Sequence, residues 1–400
     1  MRLTSVTIEP SPLGADRKRL VGAVEYESSR FSPETYWFDF PAACAQDIRV
    51  SGNPWVPCLL PMAVTLGEPL HLSLPVDRLL WENLHEIMTI WNAWYPQLKP
   101  VAVKAPIAPS SPIPFPDKRR IGAFFSGGVD SFFTAIRHDE PDAVRPPVDE
   151  LITVWGFDIP LDAPEAFARA RCDLAEASEQ MNKKHIDIAT NLRETALKYA
   201  DWSHVWHGAA MASIALALES RYRAVLIAAS LTYDIPVPWG STPLTDPLFS
   251  TSHTRVIHDG CHSRAEKIDC IKHSQSAMDH LRVCWESRSD SNCMACGKCF
   301  RTALVLEACG ALHLARRFPL RGDLASMARI VPLRDEDDFI TLDTIKPMLL
   351  SKNRPDLADL VDVCIRRNRR RNRLIFVMKK LARQKVIGHV AQWSLRRLQS

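Results

Sequence analysis

The chain has 400 residues, 46% of them hydrophobic and 24% charged, which is the balance of a globular protein with two or three domains. No apolar run is long enough to cross a bilayer, and the N-terminus lacks the apolar core of a signal peptide, so we expect a cytoplasmic protein. The net charge of +4 is unevenly distributed, because the segment from Arg366 to the end has twelve Lys or Arg and no acidic residue. The rest of the chain is therefore mildly acidic. This charge distribution excludes a protein that binds nucleic acid through a uniformly basic surface.

The first predicted region, residues 1–104, is a small α+β module. Residues 21–28 and 35–41 are rich in β-branched and aromatic side chains and predict strands, whereas the prolines of 51–61 predict a loop. Asp77 is placed to cap a helix with apolar residues at alternating spacings of four and three, namely Leu80, Leu84, Ile87, Trp91 and Trp94.

A proline-rich stretch follows, and it is the clearest domain boundary in the sequence. Five of the eleven residues from Pro106 to Pro116 are proline, which fixes φ and removes a backbone donor. Residues 105–118 are therefore predicted to be a stiff, extended linker.

Residues 119–138 predict a strand, a tight loop and a helix. The apolar run from Ile121 to Phe125 is typical of a buried parallel strand, and Ser-Gly-Gly-Val-Asp-Ser follows at 126–131, hereafter the phosphate loop. Paired glycines let the backbone approach a ligand closely, and the following helix directs its positive end at the same point. The loop suits a phosphate but is not a Walker loop, because the spacing and the lysine of that motif are absent.

Strand and helix patterns then alternate as far as residue 310. This alternation predicts a Rossmann-like parallel sheet with helices on both faces, and ligands bind such sheets at the carboxyl ends of the strands. The phosphate loop, Asp158 and Ser230 fall at such ends. Asp162 and Glu165 have capping-box spacing ahead of a helix. The predicted strands are 151–158, 185–190 and 224–230. One predicted helix ends near Met181, and another spans 207–220.

Residues 231–262 are polar and irregular, and a helix is predicted at 263–275. A long irregular segment in a compact domain often has a function. Residues 231–262 directly follow a strand end, so they could fold over a nucleotide. The alternative for each of its polar residues is a loop-stabilising or solvated role. The candidates are Asp234, Asp246, His253, Arg255, His258 and Asp259.

Four cysteines have metal-site spacing, C-x8-C-x2-C-x2-C, at Cys284, Cys293, Cys296 and Cys299. Four thiolates favour tetrahedral zinc in a structural role, with Asn292, Gly297 and Lys298 supplying turn residues and donors to the sulfurs. An iron–sulfur cluster and free thiols are the alternatives. The other seven cysteines are interpreted as buried or incidental: Cys44, Cys58, Cys172, Cys261, Cys270, Cys309 and Cys364.

The string SGGVDS after an apolar strand resembles the loop of the PP-loop ATP pyrophosphatases, which cleave ATP between the α and β phosphates. With the four cysteines downstream, residues 119–305 resemble 7-cyano-7-deazaguanine synthase and its relatives. Ser263–Ile268 is similar to the T-K-A-E-I segment of that family, with Arg264 in the place of the lysine.

The resemblance has clear limits. The family has no counterpart to residues 1–115 or to the chain after about 310, and its Gly-Arg-Asn turn is replaced by Gly208-Ala209-Ala210 after His207. Residues 231–262 do not resemble the purine-binding segment of the family. We therefore carry over the ATP chemistry and the zinc, and not the deazapurine substrate.

The resemblance implies an enzyme that adenylates a carboxylate or amide of a small-molecule substrate, after which ammonia or an amine displaces AMP. The sequence shows no glutaminase module, so this nitrogen donor would arrive free or from a partner. Ser126, Asp130 and Ser131 would be catalytic, and Asp130 would help to hold Mg²⁺. The implied nucleotide-binding residues are Ser126, Gly127, Gly128, Val129, Asp130, Ser131, Asp158 and Arg264.

Residues 311–400 are predicted to be helical, and the basic run 366–373 is followed by an amphipathic segment. Such a tail suits contact with nucleic-acid phosphates or with an anionic membrane surface, and the alternative is a solvated helix. Two further functions stay open, a tRNA-modifying enzyme of the same superfamily and a non-catalytic nucleotide-binding assembly protein. The sequence also leaves a homodimer open.

Overall fold

The computed structural model describes residues 1–108, 119–140, 143–234, 237–284, 292–319, 323–334 and 336–383. These residues divide into two compact units, Met1–His280 and Leu281–Ser400. The bounds of these units differ from those of the predicted domains, because the first 104 residues join the same sheet as the strands after residue 119 and the four cysteines belong to the second unit. Most of the predicted linker, 109–118, lies outside the described residues.

The first unit is built on a ten-stranded sheet with the order β10-β9-β6-β7-β8-β3-β2-β1-β4-β5. The α/β class predicted from the alternating pattern is confirmed. The strands are β1 (Arg2–Pro10), β2 (Lys18–Glu25), β3 (Glu34–Phe40), β4 (Leu70–Leu72), β5 (Val103–Lys104), β6 (Arg120–Phe124), β7 (Glu150–Trp155), β8 (Lys184–Thr190), β9 (Tyr222–Ala228) and β10 (Arg255–Asp259).

Five parallel strands, β10-β9-β6-β7-β8, form one half of the sheet. The first of them in the chain, β6, is almost completely buried and lies between the second, β7, and the fourth, β9. The chain therefore leaves β6 towards one side of the sheet and later returns to the other. Such a switch point opens a crevice at the carboxyl ends of the strands, where ligands bind in open α/β sheets.

The N-terminal strands extend the same sheet rather than forming a separate module. Strand β3 pairs antiparallel with β8, with Phe38 opposite Thr190, and β2 and β1 follow in antiparallel order. A separate module would have to bury both sheet edges by other means. The predicted boundary between the two regions is therefore bridged by continuous backbone hydrogen bonding.

Three local predictions need correction. The predicted loop at 51–61 is a turn only as far as Pro54, since Trp55–Leu66 is a buried helix with Pro57 in its first turn and Pro61 in its interior. Pro57 lies where no backbone donor is needed. The helix after Asp162 has Ala163 at its N-cap and no side-chain cap. The segment 231–262 contains a 3₁₀ helix, Asp246–Phe249, and strand β10.

Helices of the first unit pack against strands of the sheet. The cap predicted at Asp77 is confirmed, because its carboxylate accepts hydrogen bonds from the backbone N–H groups of Leu79 and Leu80. The helices are α1 (Trp55–Leu66), α2 (Arg78–Trp94), α3 (Val129–Ile136), α4 (Pro164–Gln180), α5 (His207–Ala217), α6 (Arg264–Ile271) and α7 (Gln275–His280).

The second unit is helical in its described part, as predicted for the chain after 311. Its helices are α8 (Gly297–Ala308), α9 (Leu324–Ile330), α10 (Glu336–Asp343), α11 (Lys346–Ser351) and α12 (Pro355–Arg383). Among all the described residues of the chain, no helix combines the length and the apolar character needed to span a membrane.

Candidate functional site

The phosphate loop connects β6 to α3 at the switch point of the sheet. Gly127 has φ +74°, a left-handed conformation that favours glycine, and Gly128 is the extended N-cap of α3. The Ser131 hydroxyl donates to the Gly128 carbonyl at 3.0 Å and accepts from the Ser126 N–H at 3.3 Å. Ser131 therefore holds the turn closed, and the first turn of α3 contributes the backbone donors and the positive dipole end of an anion site.

Two cations lie against the carboxylate of Asp130. Lys267 Nζ is 2.7 Å from Oδ1, and an Arg264 guanidinium nitrogen is 3.1 Å from Oδ2. Lys267 also donates to the carbonyl of Ala229, immediately after β9, at 2.5 Å. Lys267 therefore links the end of β9 to the loop after β6, across the crevice of the switch point.

The charge of this group suits an anionic ligand. The Lys267 side chain is only 1% exposed, and this burial lowers its pKa although the Asp130 carboxylate acts in the opposite direction. Arg264 is 16% exposed and adds a second positive charge. Two cations against one carboxylate leave a local excess of positive charge beside the helix N-terminus, which favours phosphates.

Helix α6 presents both cations to the same point. Ser263 and Glu266 form a capping box that begins the helix at Arg264, and Lys267 follows one turn later on the same face. The sequence prediction included Arg264 and missed Lys267. The sequence signal for Lys267 was its spacing of three residues from Arg264 after a capping box, which places both basic side chains on one helix face.

The other predicted residues at the strand ends lie along the same edge of the sheet. Asp158 is exposed in the loop after β7, and Ser230 is exposed directly after Ala229. The placement agrees with the predicted carboxyl-end positions, and a binding role for Asp158 stays a prediction.

Strand β10 directs two polar residues of the 231–262 segment to opposite faces of the sheet. His258 contacts Asp246, whereas Asp259 accepts from Thr134 Oγ1 at 3.0 Å and lies 3.1 Å from His138 Nε2. Burial alone would raise the pKa of Asp259, but its hydrogen bond and charge interaction with His138 hold that pKa below its ordinary value. Thr134 lies in α3 and His138 lies just after its end. Asp259 therefore fixes the helix that carries the phosphate loop.

An aromatic cavity of about 280 Å³ follows the carboxyl end of β8. A π-helical turn, Trp202–Trp206, forms one wall, and such turns are frequent at functional sites. The Arg193 guanidinium lies 4.8 Å from the Trp202 ring centre and donates to the carbonyl of Phe157 at 2.8 Å. The lining residues, which the sequence analysis did not select, are Arg193, Lys198, Ala200, Asp201, Trp202 and Trp206.

The second unit brings the four predicted cysteines together. The sulfurs of Cys284, Cys293, Cys296 and Cys299 all lie within 4.8 Å of one another, so the cluster could hold a metal ion such as zinc. The sulfurs of Cys293 and Cys299 are 3.9 Å apart. Tetrahedral zinc with bonds of about 2.3 Å places its sulfurs about 3.8 Å apart, so this separation fits the ion.

Backbone donors and one asparagine hold the cysteine cluster. Ala295 N–H lies 3.4 Å from Cys293 Sγ, and Cys299 N–H lies 3.4 Å from Cys296 Sγ. A backbone N–H donation from Asn292 to sulfur stays a prediction, whereas its side chain has a separate role. Its side chain accepts from the N–H groups of residues 283 and 284 and donates to two carbonyls, so it fixes the backbone that carries Cys284.

The first unit therefore places a glycine turn and two cations at a sheet switch point, and the second unit gathers four cysteine sulfurs that could hold a metal ion. Comparison of the chain with protein-family models, with curated proteins and with solved structures finds no match.

Proposed function

We propose that the chain is an ATP-utilising enzyme of the PP-loop class, which transfers the adenylyl group of ATP to a carboxylate or amide and releases pyrophosphate. A nitrogen nucleophile, ammonia or an amine, then displaces AMP. The observation that carries the proposal is the phosphate loop at the switch point of β6 and β9, with Lys267 and Arg264 beside it. This combination fits a polyphosphate better than it fits a single neutral ligand.

The chemistry needs little more than positioning and charge neutralisation. Backbone N–H groups of the phosphate loop and the N-terminus of α3 would bind the β and γ phosphates, and Lys267 and Arg264 would offset the charge that develops as pyrophosphate leaves. Asp130 holds both cations in place. Adenylation converts a poor leaving group on the substrate into AMP, which a nitrogen nucleophile can displace.

The Mg²⁺ role predicted for Asp130 needs a carboxylate oxygen that can face the ion. Both of its carboxylate oxygens face positive groups, so the donor set as arranged does not fit a magnesium ion held by Asp130. Magnesium commonly reaches such sites on the phosphates of the substrate, with one or two carboxylates completing its shell. No step of the proposed reaction is routed through the ion.

The aromatic cavity is the best place for the acceptor substrate. It follows a strand end on the same edge of the sheet as the phosphate loop, and it combines indole surface with the cations Arg193 and Lys198. Indole rings stack on flat ring systems, and guanidinium groups bind carboxylates. We therefore propose a planar acceptor that carries the carboxylate to be activated.

The cysteine cluster is proposed to hold structural zinc. All four of its ligands come from the protein, which leaves no open position for a substrate. Metal binding would then contribute directly to folding of the second unit.

Product analysis tests the reaction class. The chain is incubated with Mg²⁺, free ammonia and ATP labelled in the α phosphate; the labelled nucleotides are separated, and pyrophosphate and phosphate are assayed in parallel. AMP with matching pyrophosphate supports the proposal, whereas ADP with phosphate contradicts it. Bound ATP without turnover under any condition would instead favour the non-catalytic nucleotide-binding protein.

A charge substitution in α6 tests the site itself. Lys267→Met keeps the aliphatic length of the side chain and removes the positive charge, so ATP affinity should fall by at least about tenfold. Lys272→Met is the matched control, because Lys272 pairs with Asp269 at the other end of the same helix. Equal ATP affinity in the two variants would contradict the role of Lys267, provided that both remain folded.

The tRNA-modifying alternative is favoured by a single observation, the exposed arginines on α12, which are Arg366, Arg369, Arg370 and Arg373. Truncation at Arg366 is a poor test, because the buried Asn368 bonds the backbone of Val331 and Leu333 within the second unit. Replacing the four exposed arginines by glutamine removes charge while keeping Asn368. Salt-sensitive tRNA binding that is lost in this variant would support the alternative.

A further inference from the structure

One side of helix α12 carries four exposed arginines, hereafter the arginine stripe. The second, third and fourth of them follow the first by three, four and seven residues, which places all four on one face of the helix. The members are Arg366, Arg369, Arg370 and Arg373. Within the part of the chain that the structure describes, no carboxylate lies within ion-pair distance of any of them. The stripe is therefore a concentration of positive charge that faces solvent.

Helix stability does not account for the arginine stripe. Asp356 pairs with Arg354 at 2.8 Å. Asp362 pairs with Lys346 at 2.7 Å, so two carboxylates earlier in α12 already have other partners. Cations also stabilise a helix at its C-terminus, but this effect is confined to the last turn, and α12 continues well beyond the stripe to Arg383. The charge of the stripe is therefore available to an external anionic partner.

Contacts with the rest of the second unit hold the stripe in place. Asn368 is fully buried on the opposite side of α12, and its side chain accepts from the Leu333 N–H and donates to the Val331 carbonyl, each at 3.0 Å. The Arg369 guanidinium lies 5.9 Å from the ring centre of Phe339 in α10. A partner therefore meets a preformed surface, and binding costs little ordering of the protein.

Exposed apolar side chains border the arginine stripe. Leu374, which follows Arg373 and lies one turn from Arg370, is 49% exposed. Ile340 adjoins Phe339 in α10 and is also 49% exposed. In the sequence, Leu374 begins the apolar run Leu-Ile-Phe-Val-Met, which is still part of α12. Basic and apolar residues together on an exposed helix are typical of helices that lie in a membrane interface.

A nucleic acid fits this surface less well than a lipid bilayer does. Proteins that bind single strands combine basic groups with exposed aromatic rings, on which the bases stack. Phe339, the aromatic residue that contacts the stripe, is buried, and the exposed neighbours Leu374 and Ile340 are aliphatic. Aliphatic side chains offer no stacking surface to a base, whereas they gain free energy on leaving water for the acyl region of a bilayer.

We propose that the exposed side of α12 binds the surface of a membrane that contains anionic lipids. The arginine stripe contacts the lipid phosphates, and Leu374 enters the boundary between the headgroups and the acyl chains. This contact involves the second unit alone and does not depend on ATP cleavage.

Vesicle sedimentation tests the partner. The full chain is mixed with vesicles of phosphatidylcholine, either pure or containing phosphatidylglycerol, and the bound fraction is measured over a range of salt concentrations. Binding to the anionic vesicles, weakened by salt and absent from the neutral ones, is expected. Failure to bind the anionic vesicles at low salt, or equal binding to both kinds, would overturn the proposal.

Two charge variants test the assigned surface. Replacing the four arginines of the stripe by glutamine keeps the buried Asn368 and should lower affinity for the anionic vesicles by at least about 10²-fold. A control variant should bind nearly as the unmodified chain does, because it removes four exposed positive charges of the first unit by the same replacement, at Lys18, Arg78, Lys99 and Lys104. An equal loss in the two variants, both shown to be folded by circular dichroism, would mean that net charge alone drives binding and would refute the assignment.

A single substitution separates a membrane from a nucleic acid. Leu374→Gln keeps every charge and should lower affinity for the anionic vesicles by about tenfold, because one apolar side chain no longer leaves water. Unchanged vesicle affinity in this variant would contradict the insertion of Leu374. Binding of labelled tRNA that depends on the arginine stripe and not on Leu374, in a chain that ignores anionic vesicles, would overturn the proposal and favour the tRNA-modifying alternative.

Discussion

Asp130→Ala should destabilise the first unit by leaving two cations without their carboxylate. Removal of one partner from a buried ion pair costs about 3–5 kcal/mol. Asp130 is 21% exposed and Arg264 is 16% exposed, so water compensates part of the loss, and we expect about 3 kcal/mol. A loss of ATP turnover in this variant would therefore reflect both the folding defect and any defect in the chemical step.

The double variant Asp130→Ala, Lys267→Met separates the two effects. It removes the stranded charge, and neighbouring substitutions of this kind couple by about 0.5–3 kcal/mol, so it should be more stable than Asp130→Ala alone. Asp269→Ala is the control, because it breaks a more exposed pair with Lys272 on the same helix and should cost at most about 1 kcal/mol.

The assay is urea unfolding followed by tryptophan fluorescence. Nine of the eleven tryptophans lie in the first unit, so the signal reports mainly on the sheet. In Asp130→Ala the pKa of Lys267 should fall further, because burial then acts without the opposing charge and hydrogen bond of Asp130. The unfolded chain then binds more protons than the folded one, so stability should recover as the pH rises towards the unfolded lysine pKa of about 10.4. A double variant no more stable than Asp130→Ala would refute the stranded-charge argument.

Three further predictions concern the metal and the scaffold. Elemental analysis should find one zinc per chain, and Cys296→Ser should lose it and lower the thermal stability of the second unit, whereas iron without zinc would contradict the assignment. The lowered pKa of Asp259 stabilises the fold above the unfolded aspartate pKa of about 3.9, and this contribution is lost as the pH falls below that value, so the difference in unfolding free energy from Asp259→Asn should shrink in acid. Gly156→Ala should cost at least about 2 kcal/mol by chemical unfolding, because Gly156 has φ +99° and a Cβ there would lie 2.0 Å from the carbonyl oxygen of Thr190. An unchanged unfolding midpoint would contradict that steric clash.

The predictions that held depend on interactions between residues close in sequence. The glycine pair between an apolar strand and a helix specified the geometry of the phosphate loop, because backbone conformation is decided within a few residues. The cysteine spacing specified the four-sulfur cluster for a similar reason, since three of its ligands lie within seven residues. The cap at Asp77 could be predicted because a capping residue needs only its place directly before the helical pattern.

The predictions that needed correction depend on burial and on partners distant in the chain. The prolines of 51–61 suggested a loop, yet the apolar side chains around them are buried against the sheet and stabilise α1. The proline-rich boundary concealed the pairing of β3 with β8, which joins residues about 150 positions apart. Local propensity does not contain this information, since tertiary packing routinely overrides it.

The sequence by itself determined the strand, glycine turn and helix of residues 120–136, the clustering of the four cysteines and the α/β class, because each is encoded in local conformation and hydrophobic periodicity. Only the tertiary structure decided which charges surround the loop. Lys267 reaches Asp130 across 137 residues because β9 lies beside β6 in the sheet, and Asp246 reaches His258 because the intervening chain folds back onto β10. These contacts depend on strand order and register, which long-range burial and hydrogen bonding select for the chain as a whole.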